Sequence, residues 1–335
     1  MAEDLSLDLE KLCLSCMDNP SDPVSFQRFQ NECRRIGNRM ISASSYLVPR
    51  ETRMVYNTFQ GSGTIAYGRT IIEFASRGRS MDNVIARSKI TIARKISWMV
   101  LLDTSNSMTG WWRNRRFNRD VDEETSPQIA AKIATLAFLQ GLDRKLDVEV
   151  ILFANKAVGP FERRERIYRD IITSNGMGGS RMDLALEKII RRRWTKREGT
   201  RALIVITDGV VESGLKAPGL PYLSETEIQG GANRDQQIRA DSLVQERTLR
   251  HFRQIVRDGV SVLYVPIFVD ENLASWRSGT YSAREFVKEL EVMGVEVSPV
   301  YNTASMVEVL FAGLNRLASR SGYQTNRRAN LKAYF

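Results

Sequence analysis

The stretch Ser97-Trp98-Met99-Val100-Leu101-Leu102-Asp103-Thr104-Ser105-Asn106-Ser107-Met108 decides how the rest of the chain is read. Its first half is an unbroken apolar run, the mark of a strand buried on both faces rather than half exposed. Its second half turns polar at once: a carboxylate leaves the buried strand and hydroxyls follow at alternate positions. Such a run also suits a simple turn or helix cap, because Asp and Ser satisfy loose backbone N–H groups. Its meaning depends on what the fold brings beside it.

Further strand-like runs occur at 148–153, 202–206, 260–268 and 295–300. Helix-period segments separate them at 126–141, 163–173, 182–193, 235–258 and 282–293, and a last helix covers 304–318. Residues 156–161 read as a short antiparallel edge strand. This alternation predicts an α/β fold, a doubly wound, mostly parallel six-stranded sheet with helices on both faces, plus an N-terminal helical extension. Helices are expected over 3–17 and 24–42, joined by Asp18-Asn19-Pro20-Ser21-Asp22-Pro23. Residues 46–95 are less regular; Tyr67 to Phe74 and Ile85 to Ile96 offer strand candidates. The expected organisation is a helical and mixed extension over 1–94, the α/β domain over 95–320, and a basic, mobile tail over 321–335.

The chain has 335 residues, 42% of them apolar, enough for a sizeable core. Lys and Arg number 49 against 39 Asp and Glu, a formal charge of +10 that favours acidic partners: nucleic acid, anionic membrane or an acidic protein surface. Three cysteines, Cys13, Cys16 and Cys33, lie in the first tenth of the chain. The odd count argues against a disulfide scaffold. Cys13 and Cys16 form a CxxC, yet on helical spacing they share a face with Leu9, Leu12 and Met17, which reads as core rather than zinc. No basic, apolar leader opens the sequence and no apolar run approaches a membrane span. The expected location is cytoplasmic.

In doubly wound sheets, ligands bind at the carboxyl ends of strands where the winding reverses. Two further segments belong there. Asn175-Gly176-Met177-Gly178-Gly179-Ser180 brings a hydroxyl to a glycine-rich bend, and Leu203-Ile204-Val205-Ile206-Thr207-Asp208-Gly209 ends a second buried strand on a carboxylate. Asp103, Ser105, Ser107, Ser180 and Asp208 would then make an all-oxygen cluster, the ligand type that Mg2+ takes, with Mn2+ or Ca2+ as alternatives. Gly61-Ser62-Gly63 is too short for a phosphate loop, and no nucleophile with a base accompanies the cluster, so binding rather than catalysis is expected.

These segments resemble the metal-ion-dependent adhesion site of von Willebrand factor A (vWA) domains. The resemblance implies that Ser105, Ser107 and Ser180 contact the metal directly or through water, and that Asp103 and Asp208 act as ligands or just behind them. Ser180 stands where that family usually has Thr. Residues 67–108 are similar to CoxE-like proteins and the carboxyl parts of metal-chelatase subunits. That similarity implies an intracellular adaptor whose metal takes the carboxylate of an acidic protein partner, such as a MoxR-type AAA+ ATPase. Trp111, Trp112, Arg113, Arg115, Arg116 and Trp276 follow strand ends on the same edge and have hot-spot composition, so they are expected to frame the partner. Two alternatives remain: a nucleic-acid-binding module like the Ro-type ribonucleoproteins, and a shell or virion component that self-associates through the N-terminal arm.

Overall fold

A computed structural model gives the fold. It describes residues 2–43, 50–58, 64–65, 85–93, 96–109, 126–141, 147–162, 165–174, 178–213, 234–268, 275, 277, 279–302 and 305–317. The chain divides into two compact units, Met1–Leu47 together with Ile96–Phe335, and Val48–Lys95. The helical arm and the segment after it thus fall in different units.

The smaller unit holds strands β1 (Arg50–Thr58), β2 (Thr64–Ile65) and β3 (Ile85–Ala93), in the order β1-β3-β2. The β1–β3 pair is antiparallel over nine positions, from Arg50↔Ala93 to Thr58↔Ile85. The sequence candidate at Tyr67 to Phe74 lies outside the described residues.

In the larger unit six strands run in the order β6-β5-β4-β7-β8-β9. They are β4 (Ile96–Asp103), β5 (Asp147–Phe153), β6 (Ala157–Glu162), β7 (Thr200–Thr207), β8 (Ser261–Pro266) and β9 (Glu296–Val297). All pairings are parallel except β5–β6, which returns antiparallel at the edge. The α/β class with a six-stranded, mostly parallel sheet is therefore present. The winding reverses at β4: the chain leaves it towards β5 on one side and comes back to β7 on the other.

Alternate residues of the strands feed two cores, as the two-residue period requires. Trp98, Val100 and Leu102 join one core with α1 (Ala2–Asp18), α2 (Pro23–Ala43), α3 (Pro127–Gly141), α4 (Glu165–Thr173) and the helix over 306–317. Met99 and Leu101 join the other with α5 (Met182–Arg191), α6 (Arg234–Arg257) and α7 (Ala283–Val292). Each fully buried Leu or Val contributes about 1.5–3 kcal/mol.

Helix α3 is mostly apolar and lies between two layers, with Gln128 through Leu139 all buried. Helix α2 crosses it closely: a Cβ added at Gly37 would stand 2.3 Å from the Ala137 carbonyl oxygen, so only glycine permits the approach. Cys13, Cys16 and Cys33 are buried in this layer. Lys132, also on α3, is buried and donates to the carbonyls of Ile172 (2.9 Å) and Ser174 (2.7 Å) at the end of α4. Burial pushes its ammonium down to about 8. Among the described residues no helix is long and apolar enough to cross a membrane.

The arginine run after α5 is engaged at the amino ends of the strands. Arg197 reaches Asp147 and Glu149, Arg192 also reaches Glu149, and Lys196 pairs with Asp258.

Candidate functional site at the carboxyl edge

Strand register places the key side chains. Asp103 is the last residue of β4 and sits opposite Phe153 of β5. On the other flank Leu102 pairs with Ile206, so Thr207 and Asp208 leave the sheet beside Asp103, at the point where the winding reverses.

Asp103 is fully buried and accepts three hydrogen bonds. Its Oδ1 takes the Ser105 backbone N–H at 2.8 Å, and its Oδ2 takes the Ser180 hydroxyl at 2.7 Å and the Thr207 hydroxyl at 2.6 Å. One carboxylate thereby gathers three segments, two through hydroxyls and one through a backbone N–H. The Ser105 and Ser107 hydroxyls lie 3.0 Å apart. The Gly209 N–H donates to the Thr207 hydroxyl at 3.2 Å, holding that side chain in place.

Asp208 is also buried. Its Oδ1 accepts the Val210 N–H at 3.1 Å, but its Oδ2 has no hydrogen-bond partner among the described residues. Leaving a charged oxygen in that state costs several kcal/mol unless something compensates it. Burial first, and then the Asp103 charge, push Asp208 above the ordinary carboxylate value; the nearby Ser107 hydroxyl and the Val210 N–H oppose the shift. Asp103 is raised by burial too, against the pull of its hydrogen bonds from Thr207, Ser180 and Ser105. The two carboxylates repel each other in a dry setting.

The glycine-rich bend is built for close approach. Gly178 has φ +97°, and a Cβ there would meet the Asn155 side chain at 1.9 Å. Asn155 Oδ1 accepts the Gly179 N–H at 2.9 Å, and the Asn106 N–H donates to the Gly178 carbonyl at 3.2 Å. These links carry Ser180 to Asp103. Asn155 and Thr207 stand at the ends of recognisable strands, but the sequence reading gave neither a role at this edge. Only their neighbours across the sheet reveal their roles, although Thr207 stood directly before an expected ligand.

Asp103, Ser105, Ser107, Ser180 and Asp208 thus share one edge. Trp111, Trp112, Arg113, Arg115, Arg116 and Trp276 lie outside the described residues. Arg277, next to Trp276, is tied to Glu285 by two contacts of 2.9 and 3.0 Å. Among the described residues no group of three or more His, Cys, Asp or Glu is arranged to hold a metal. A cation at this edge would depend on hydroxyls and water beside its two carboxylates.

Comparison with known proteins brings no family model that matches the chain and no curated protein. Among solved structures, the PilB minor pilin from Streptococcus sanguinis is similar at 12% identity and a TM-score of 0.44, over 82% of this chain and 78% of that one. A point variant of the same pilin gives 12% and 0.41, over 72% of this chain and 65% of that one. The pilus adhesin SpaC from Lactobacillus rhamnosus GG gives 12% and 0.41, over 82% of this chain and 33% of that one. The chain therefore spans less than two thirds of the pilin variant and about a third of the adhesin.

These findings correct the family reading. The vWA assignment, with its adhesion-site label and CoxE-like subfamily, has no family-model or curated match behind it, and the structures retrieved are pilus proteins. The role as a Mg2+-dependent adaptor of a MoxR-type ATPase, its nucleic-acid and shell alternatives, and the cytoplasmic location fall with it. The physical reason is that the resemblance rested on five oxygen-bearing positions and on an order of strands and helices, over about two thirds of the chain, that any doubly wound sheet shares. Such residues satisfy local needs at any sheet edge, whereas a family assignment requires the whole chain to correspond.

Proposed function

We propose that the carboxyl edge of the six-stranded sheet binds a hard divalent cation, Mg2+ in the first place, with Mn2+ or Ca2+ as alternatives. The unpartnered, buried Asp208 Oδ2 beside the Asp103 carboxylate carries this reading. Asp208 would supply a direct oxygen ligand, and the Ser105, Ser107 and Ser180 hydroxyls would supply neutral ones, directly or through water. Asp103, whose oxygens already take three protein donors, would organise those hydroxyls and contribute charge from behind them. A cation would also relieve the repulsion between the two carboxylates.

The reading is one of binding rather than turnover, since the described cluster offers carboxylates and hydroxyls with neither imidazole nor thiol. Calorimetric titration with MgCl2 and MnCl2 tests it. Saturable binding that disappears in Asp208→Ala while the circular dichroism spectrum is kept is the expected result; a chain that takes up neither ion would overturn it.

A further inference from the structure

Beyond Asp208 the chain makes a second gathering of oxygens that the first site does not use. The Glu212 N–H donates to the Ser180 carbonyl at 3.4 Å, so this segment is attached to the first site's own loop. The next residue, Ser213, donates its N–H to Asp241 Oδ1 of α6 at 2.6 Å. Ser213 and Asp241 are 0% and 1% exposed, and both the Ser213 hydroxyl and Asp241 Oδ2 lack a hydrogen-bond partner among the described residues. The hydroxyl is nonetheless near enough to that carboxylate to pull its value down, so the pair falls short of good hydrogen-bond geometry rather than standing apart.

Burial and then the charges of Asp241 and Asp103 push Glu212 up to about 7, and burial raises Asp241. No described lysine or arginine is among the groups acting on Asp103, Asp208, Glu212 or Asp241. One dication at the first site would balance two of these four carboxylates and leave the other pair without a cation among the described residues.

We propose that Glu212, Ser213 and Asp241 form a second cation position, taking a hard divalent ion such as Mg2+ or Ca2+ with water completing its shell. Two carboxylates and a hydroxyl suit such an ion, and the orphaned oxygens are those left free to ligate. The competing explanation is a proton held between Glu212 and Asp241. This position uses none of the first site's side chains, so each can fail alone.

The experiment is anomalous diffraction from crystals of the full chain soaked in MnCl2, paired with Mn2+ stoichiometry in solution. Two peaks are expected, one at Asp208 and one between Glu212 and Asp241. Solution stoichiometry should fall from two to one in Asp241→Asn. Ser213→Ala, which removes only a hydroxyl, should weaken the second ion alone and serves if Asp241→Asn misfolds. A peak at Asp208 only, with stoichiometry unmoved by either variant, overturns the second position and leaves the first. A peak at Glu212–Asp241 only overturns the first reading instead, and the absence of both overturns both.

Discussion

Among the described residues, carboxylates at the amino ends of the six-stranded sheet meet cations, whereas four at the carboxyl ends, Asp103, Asp208, Glu212 and Asp241, meet none. Glu149 is flanked by Arg192 and Arg197, Asp258 by Lys196, and Glu296 by Arg316 at 2.7 Å. Asp258 lies below its ordinary value: burial works against its charge, and the Lys196 and Thr195 hydrogen bonds outweigh burial. Across the same strands, Asp103, Asp208, Glu212 and Asp241 are all raised. One sheet thus carries two kinds of acidic edge. The first set is paired within the chain, and the four carboxylates of the second have no paired cation among the described residues.

Breaking a compensated pair should have the largest effect. Arg181 and Asp183, at the start of α5, form a buried two-point contact of 2.8 and 3.0 Å. Asp183→Ala would leave the guanidinium buried without its partner and should lower stability by about 3–5 kcal/mol in urea unfolding. A loss no larger than that of a surface substitution would show that the pair is not the closed unit described.

The next effect sharpens the other side of the contrast. Mg2+ at about a hundred times its dissociation constant should stabilise the chain by about 2.7 kcal/mol, reversibly with chelator. Gly178→Ala should reduce that gain, because the new methyl displaces Asn155 and with it the Ser180 loop. Thermal unfolding with and without Mg2+ reads both.

A smaller effect has the opposite sign from Asp183. Removing an uncompensated charge, Asp208→Asn, should raise metal-free stability by about 1 kcal/mol, the scale of a one-unit carboxylate shift. A loss of stability there would break the comparison. Smallest of all, Lys196→Ala should cost less than about 1 kcal/mol, since Lys196 is largely exposed. Asp258 is depressed in the folded chain, so the pair's contribution is present above the unfolded carboxylate value and lost as pH falls through the folded one. The wild-type and Lys196→Ala unfolding curves should therefore converge in acid.

Much of the larger unit was legible as pattern. Runs such as Val148–Phe153 and Ala202–Ile206 are apolar enough to be strands buried on both faces, and the helical spacing between them implies parallel crossovers. Strand β1, Arg-Glu-Thr-Arg-Met-Val-Tyr-Asn-Thr, escaped notice because its first four positions are all polar, with no apolar alternation, and its partner β3 lies far along the chain. The five oxygen donors were legible because each ends a recognisable strand or bend. The whole-chain family was not legible from them, since local chemistry at one edge does not report ancestry.

By itself the sequence determined the alternating elements, the buried strands and the residue types at their ends, because burial and periodicity are written residue by residue. Only the tertiary structure decided that Thr207 and Ser180 both donate to Asp103, that Asn155 holds the glycine bend, and that Asp241 meets Ser213 across 28 positions of chain. It also decided which acids are compensated. Charge pairing depends on distance and burial, and neither exists until the strands have taken their order.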